Sequence, residues 1–175
     1  MTHTLDYVLS RDDHDIDIYQ HTLTLISGDS INLWDYRDHV ILIVNTASRC
    51  GLTPQYRELE KLYQKYRQYD FILLGCPCGQ FGDQELATNA EVHSFCQLKF
   101  NVSFPLTQKL KVNGPKAHPL FKELKIQAKG LLRTQVIKWN FTKFLIAPNA
   151  TKIERYSPYK SPKELETNIR GLLNL

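Results

Sequence analysis

The chain has 175 residues, a length that predicts one domain with a core large enough to be stable without disulfide bonds. Hydrophobic residues make up 42% of the chain and charged residues 23%, a balance that excludes disordered and fibrous proteins. No apolar run approaches the roughly 20 residues that cross a bilayer, and the first residues lack the pattern of a secretory signal. We therefore expect a cytoplasmic protein without stable membrane insertion, in which the four cysteines are kept reduced.

The charge is distributed unevenly along the chain. Residues 1–40 carry two basic and eight acidic side chains, whereas residues 41–175 carry twenty basic and ten acidic ones. A basic body of this kind favours acidic partners, although a solvated surface is the simpler interpretation. No run of clustered lysine and arginine with interleaved aromatic residues occurs, so nucleic acid is not expected as a partner.

The first half of the chain predicts a hairpin followed by two buried strands. Residues 1–16 are polar and aperiodic, and we expect a flexible N-terminal extension ahead of one domain over residues 17–175. Apolar stretches at 23–26 and 31–33 flank a Ser-Gly-Asp-Ser turn, which predicts a β-hairpin. Apolar runs at 40–44 and 71–74 predict strands buried on both faces. Helical spacing from Pro54 to Tyr66 predicts a connecting helix, so these two strands would be parallel.

The second half predicts three more helices and a second hairpin. Capping boxes that start at Thr88 and Ser161 predict two helices, the first of which ends near Lys99. A short helix is expected over 119–125, and a hairpin is expected from strands at 138–146 and 152–156. We therefore predict an α/β protein with a thioredoxin-like fold. It would have a central mixed β-sheet flanked by helices, with an N-terminal β-hairpin.

Cys50 lies between the first buried strand and the helix that follows it, at the sheet edge where α/β proteins bind ligands. The start of a helix and the adjacent Arg49 both favour a thiolate, although a free cysteine is also common as a small buried apolar residue. Thr53 occupies the position of the second cysteine in a C-x-x-C motif, which disfavours a dithiol oxidoreductase. Peroxiredoxins have Thr or Ser three residues before the reactive cysteine, and this chain has Ala47 there, so it does not match their pattern.

Four segments together resemble the glutathione peroxidase family in its cysteine form. NTASRCG, around Cys50, resembles the motif N-V-A-S-x-C/U-G, where U is selenocysteine, and PCGQFGDQE at 77–85 resembles P-C-N-Q-F-x-x-Q-E. VNGPKAHPLF at 112–121 resembles V-N-G-x-x-A-H-P-L, and WNFTKF at 139–144 resembles W-N-F-x-K-F. The resemblance extends in order from about residue 18 to about residue 171. It implies a thiol peroxidase that reduces hydrogen peroxide and organic or lipid hydroperoxides.

The resemblance assigns the family's catalytic tetrad to Cys50, Gln84, Trp139 and Asn140. A thiol of pKa ~8.5 is only about 3% thiolate at pH 7, yet lowering its pKa gains little rate, because nucleophilicity falls as well. A fast peroxidase therefore also needs hydrogen-bond donors that stabilise charge on the peroxide oxygens. The other three side chains are donors that do not titrate. Without the resemblance, loop capping would explain the two amides and core packing would explain the indole.

The resemblance also implies a second redox residue, Cys96. On periodicity alone Cys96 is an apolar-face cysteine of its helix. However, FCQLKF resembles the F-C-x-L-x-Y segment of members that use thioredoxin, in which this cysteine resolves the sulfenic acid. We expect a helical, half-buried Cys96. The start of its helix would then unwind during turnover, because a Cys50–Cys96 disulfide needs Cα atoms within roughly 7 Å.

The remaining candidates are interpreted as structural. Cys76 replaces a usual Phe of the family, and Cys78 matches a cysteine that is usually outside the redox pair. Their C-P-C arrangement is a weak metal motif, since no second ligand pair follows, and we expect no metal and no bound cofactor. Gly79 replaces a usual Asn, which leaves the conformation of this loop open, and His93 is interpreted as a surface histidine.

The reductant implied by the resemblance is thioredoxin, which restores both thiols as a co-substrate. One alternative keeps the site but uses glutathione, with Cys96 in a structural role. Another is a redox sensor that passes its oxidation to a partner protein, and a third is a non-catalytic binding module. The segment between Leu120 and Trp139 lacks the insertion of tetrameric members, so a monomer or weak dimer is expected.

Overall fold

A four-stranded mixed sheet forms the centre of the structure, a computed structural model that describes residues 17–175. Strands β3 (Val40–Thr46) and β4 (Phe71–Pro77) are parallel, as predicted, whereas β5 (Lys143–Ile146) runs antiparallel to β3 and to β6 (Ile153–Tyr156). The strand order is β4-β3-β5-β6. The predicted extension over residues 1–16 lies outside the described residues.

Four helices complete the domain. Helix α1 (Gln55–Tyr66) connects β3 to β4, and α2 (Asn89–Phe100) begins at a complete capping box on Thr88. Helix α3 is Pro119–Gln127, and α4 (Glu166–Leu172) follows a 3₁₀ turn that begins at the predicted Ser161 capping box.

The N-terminal hairpin is also present, with β1 (Thr22–Thr24) paired antiparallel to β2 (Ser30–Asn32). A βαβ unit followed by an antiparallel hairpin and a terminal helix confirms the predicted thioredoxin-like fold.

The side chains of β3 alternate between two hydrophobic clusters, because successive residues of a strand point to opposite faces of the sheet. Ile41 and Ile43 belong to the cluster that contains the buried residues of α3. Leu42 and its neighbours on the other face pack with buried residues of α1, α2 and α4, including Cys96. Every residue of β3 and β4 is buried, as the uninterrupted apolar runs predicted.

Gly75 allows a loop to lie against the outer edge of β4. A side chain at this position would place its Cβ 2.6 Å from Leu106 Cδ2, a separation too short for two carbon atoms. The close approach lets Gly75 N–H donate to Pro105 O at 3.0 Å and Gly75 O accept from Thr107 N–H at 2.9 Å. The edge of β4 is therefore covered by paired backbone, which protects it from pairing with another chain.

Strand β5 begins at Lys143 and not at residue 138, so the predicted strand over 138–146 is wrong at its N-terminal end. The chain turns sharply at Phe141, whose φ of 62° lies in the left-handed region that interrupts a strand. The ammonium group of Lys143 stabilises this turn by donating to Phe141 O at 2.8 Å and to Pro158 O at 3.1 Å. Trp139 and Asn140 consequently lie in a turn beside the sheet.

Lys143 is fully buried, and desolvation lowers the pKa of its ammonium group to about 7. In the unfolded chain this pKa is about 10.4. Between these two values the unfolded state binds one more proton than the folded state, so the contribution of Lys143 to stability increases with pH.

We predict that the free energy of unfolding of the wild type, relative to Lys143→Met, rises between pH 7 and pH 10. The limiting slope is about 1.4 kcal/mol per pH unit. Urea denaturation of both proteins at several pH values measures it. Lys61→Met, which removes an exposed lysine of α1, controls for the change in net charge. A pH-independent difference between wild type and Lys143→Met would show that Lys143 titrates as a solvated lysine.

Candidate active site

Cys50 lies in the turn that joins β3 to α1, and Thr53 shapes that turn. Cys50 N–H donates to Thr53 Oγ1 at 2.9 Å, and the same hydroxyl donates to Ala47 O at 2.9 Å. Leu52 N–H donates to Cys50 Sγ at 3.4 Å, so a backbone donor points at the sulfur. Cys50 is partly exposed, so its sulfur sits where a small molecule can approach it. Sequence analysis treated Thr53 only as the residue in place of a second cysteine and missed its role in organising the turn.

Gln84 and Asn140 form a hydrogen-bonded pair of amides beside this turn. Asn140 Nδ2 donates to Gln84 Oε1 at 3.0 Å, and Arg49 N–H donates to Gln84 O at 2.8 Å. The side-chain carbonyl oxygen of Gln84 accepts from Asn140, so the NH₂ group of Gln84 remains to donate elsewhere. Asn140 is fully buried, and its Oδ1 accepts no hydrogen bond from the described residues.

Trp139 is held in place through its backbone. Its carbonyl oxygen accepts from Asn45 Nδ2 at 3.2 Å and from Thr142 Oγ1 at 3.0 Å. The indole ring packs against Phe81, with 6.0 Å between ring centroids, and is partly exposed. The structure thus places Gln84, Trp139 and Asn140 in two adjoining turns, and the Arg49 contact connects the Cys50 turn to the same group.

Glu85 is a site residue that sequence analysis missed. It is buried, and its Oε1 accepts from Ser48 N–H at 3.1 Å and from Leu86 N–H at 2.8 Å. Burial raises the pKa of this carboxyl group. The contact with Ser48 fixes the β3–α1 loop two residues before Cys50. Glu85 is the last residue of the segment PCGQFGDQE, but residue type alone does not show that its carboxyl group is buried.

Cys96 is fully buried at 0% exposure, so the prediction of a half-buried cysteine is wrong. Its helix packs against α1, which surrounds the sulfur with apolar side chains and with the buried Tyr56. Burial raises the pKa of the Cys96 thiol to about 11. Cys50 packs against the edge of the same hydrophobic cluster. The two sulfurs therefore belong to one region of the core but differ in access to solvent.

The other two cysteines are buried. Burial raises the pKa of Cys76 to about 12 and also raises the pKa of Cys78, which favours unreactive thiols at both positions. His93 is exposed, as predicted. Residues 17–175 contain no cluster of three side chains suited to a metal ion. In the same range, every helix is too short or too polar to cross a bilayer.

Comparison with known proteins agrees with this geometry. The profile of the family described as glutathione peroxidase matches residues 18–125. The glutathione peroxidase of Lactococcus lactis is 46% identical over 90% of this chain and 100% of its own length. The glutathione peroxidase-like peroxiredoxin 2 of Saccharomyces cerevisiae is 45% identical over 84% of this chain and 91% of its own length.

A solved structure shows the same relationship in three dimensions. The crystal structure of Trgpx in its apo form superimposes with a TM-score of 0.75 at 35% sequence identity. The superposition covers 92% of this chain and 97% of that one. On the family profile and on relatives of this identity and coverage, the chain belongs to the glutathione peroxidase family.

Proposed function

We propose that the protein is a thiol peroxidase in which Cys50 reduces hydrogen peroxide and organic or lipid hydroperoxides. Membership of the family supports the reaction class. The observation that carries the assignment is the hydrogen-bonded pair of amides, Gln84 and Asn140. The hydrogen bond from Arg49 N–H to Gln84 O connects this pair to the turn that holds the partly exposed Cys50. No bound cofactor takes part in this scheme, because the sulfur supplies the electrons.

In the first step the Cys50 thiolate attacks the terminal oxygen of the hydroperoxide. An S–O bond forms, the O–O bond breaks, and the leaving alkoxide takes a proton to become an alcohol, or water when the substrate is hydrogen peroxide. The sulfur is oxidised to a sulfenic acid. Leu52 N–H stabilises the thiolate before the attack.

The amides and the indole act on the charge that develops during this step. Gln84 NH₂ and the Trp139 indole N–H would donate to the peroxide oxygens, and such donors stabilise the transition state more than the ground state. The buried Asn140 Oδ1 would accept the hydrogen of the peroxide. Since none of these groups titrates near neutral pH, their contribution would be constant over the physiological range.

In the second step Cys96 resolves the sulfenic acid. Its thiol condenses with the Cys50 sulfenic acid, giving a Cys50–Cys96 disulfide and releasing water. A thiol with a pKa near 11 is a poor nucleophile while it is buried, so α2 must open at its N-terminal end before the step. Thioredoxin would then reduce the disulfide to two thiols and become oxidised itself.

A glutathione-dependent enzyme is the second candidate, and one observation favours it. Cys96 is enclosed by the core as the protein stands, which is also what a structural cysteine would show. In that scheme glutathione attacks the Cys50 sulfenic acid directly.

For either reductant, we propose a cytoplasmic monomer or weak dimer on the sequence arguments given above.

We predict that Gln84→Glu, which removes a donor to the peroxide oxygens, and Asn140→Asp, which removes the donor that orients Gln84, each lower the second-order rate constant for oxidation of Cys50 by peroxide about 10²–10³-fold. Each variant keeps the shape of the side chain but replaces a donor by a negative charge. Stopped-flow oxidation with hydrogen peroxide measures the constant. Asn168→Asp makes the same exchange at an exposed position of α4 and is expected to leave the constant unchanged.

We predict that Thr88→Ala speeds formation of the Cys50–Cys96 disulfide about fivefold. Thr88 Oγ1 accepts from Glu91 N–H at 3.2 Å, and loss of such a cap weakens a helix start by about 1 kcal/mol. The rate is measured by quenching with an alkylating agent after a peroxide pulse. An unchanged rate would mean that opening of α2 does not limit the step.

We predict that Cys96→Ser abolishes NADPH-coupled peroxide turnover with thioredoxin and its reductase, because the sulfenic acid cannot be converted to a disulfide. Oxidation of Cys50 in a single turnover is expected to remain. Cys78→Ser, which alters another buried cysteine, controls for damage to the core. Turnover with glutathione that survives Cys96→Ser would instead assign Cys96 to packing.

A further inference from the structure

Glu85 is buried with one of its carboxylate oxygens unused. Its Oε1 accepts from Ser48 N–H at 3.1 Å and from Leu86 N–H at 2.8 Å. Its Oε2 is also buried, but it has no hydrogen-bond partner among residues 17–175. A glutamine would make the two observed bonds through its own oxygen without burying a charge, and a buried polar atom without a partner is costly. The contacts with the loop therefore do not account for a carboxylate at this position.

Further polar groups without partners lie in the same part of the core. In the described chain the buried hydroxyl groups of Thr46, Ser48 and Tyr56 also lack hydrogen-bond partners. Tyr56 packs with Cys96 in the hydrophobic cluster that α1 and α2 share. Burial is the main cause of the raised pKa of the Cys96 thiol, the neighbouring Tyr56 hydroxyl lowers this pKa, and the charge of Glu85 raises it further. The carboxylate and the thiol are thus close enough to act on each other inside the core.

Glu85 also lies where the two sulfurs would have to meet. Its carboxylate holds Ser48, which is two residues before Cys50. Along the chain Glu85 is three residues before Thr88, the N-cap of α2. When α2 opens at this end, Cys96 would move toward the Cys50 loop, to which the carboxylate is already bound.

Opening of α2 does not by itself make Cys96 a good nucleophile. A solvated thiol of pKa ~8.5 is only about 3% thiolate at pH 7. A positioned base that removes the proton during the reaction typically increases the rate about 10²–10⁴-fold, and it works best when its pKa is close to the working pH. Burial raises the pKa of Glu85 in that direction.

The titratable groups around Glu85 leave it as the proton acceptor. Burial raises the pKa of Tyr56 and of Cys78, so both stay protonated at neutral pH and neither can take a proton from Cys96. Lys109 opposes the effect of burial on Glu85 and favours the ionised carboxylate. Its ammonium group is fixed by donating to two carbonyl groups of the loop that follows Glu85, at 2.6 and 3.0 Å.

We propose that Glu85 accepts the proton of the Cys96 thiol in the resolving step. The inference rests on the proposed function, because it names the base for that step. The Cys96 S–H bond breaks as the S–S bond to Cys50 forms, and the proton passes to Glu85 Oε2. The S–O bond of the sulfenic acid breaks, and the departing hydroxide takes the proton from Glu85 and leaves as water. The Cys96 sulfur is oxidised and the Cys50 sulfur is reduced, so the step needs no other oxidant.

The test is the pH dependence of the resolving step in Glu85→Gln, which keeps the shape of the side chain. Alkylation after a peroxide pulse that oxidises Cys50 gives the first-order rate constant of disulfide formation between pH 6 and pH 8. For the wild type we expect a constant that changes less than about threefold between pH 7 and pH 8. For Glu85→Gln we expect it to be about 10²-fold lower at pH 7 and to rise about tenfold per pH unit, because hydroxide must then remove the proton.

Asp83→Asn is the matched control for the loss of a charge. Asp83 is exposed in the same loop, and its φ of 52° lies in a region that Asn adopts readily. This variant is expected to keep the wild-type pH profile. Damage to the loop would lower the rate constant at every pH by the same factor, so the slope of the profile distinguishes a proton acceptor from a structural residue.

A profile of Glu85→Gln parallel to that of the wild type would overturn the inference. A wild-type constant that already rises tenfold per pH unit would overturn it as well, and this measurement needs no variant. If the Cys50 sulfenic acid forms but gives no disulfide with Cys96, the inference is wrong and the peroxidase reaction stands. If the wild type forms no sulfenic acid, the proposed function itself is refuted, and the inference with it.

Discussion

The buried side chain and backbone of Asn45 connect the parts of the candidate site. At the end of β3, Asn45 O accepts from Phe141 N–H at 2.7 Å and Asn45 Nδ2 donates to Trp139 O at 3.2 Å. These bonds fix the turn that contains Trp139 and Asn140 against the strand that leads into the Cys50 loop. Because Asn45 is fully buried, water cannot replace either bond, and both bonds help to set the relative position of the two loops.

Under the proposed mechanism, two demands on Cys96 oppose each other. As part of the core it contributes to the packing of α2 on α1, and burial keeps its thiol protonated. As the proposed resolving residue it would have to leave that environment and meet the Cys50 sulfur. The capping box at Thr88 would then influence how often the helix opens, which would link local stability to turnover through a single helix start.

Most of the fold could be predicted because it depends on local patterns. The apolar runs at 40–44 and 71–74 and the two capping boxes are visible in a single sequence, and the structure contains each of them. The start of β5 could not be predicted, since it depends on Phe141 in the left-handed region and on a buried lysine that reaches a carbonyl 15 residues away. Gln84 and Asn140 were found only through family resemblance, because residues 56 positions apart show no pairing in the sequence. The burial of Glu85 and Cys96 depends on the packing of distant elements, which residue type alone does not determine.

The unequal burial of the four thiols allows cysteine labelling to measure how often the protein opens. Cys76, Cys78 and Cys96 are enclosed, and Cys50 alone is partly exposed. A cysteine-directed label added to the folded, reduced protein therefore marks one sulfur per chain, and a second label records an opening event. When that second label falls on Cys96 it counts openings of α2, and when it falls on Cys76 it counts loss of the central sheet. Local and global unfolding can thus be separated in the unmodified protein.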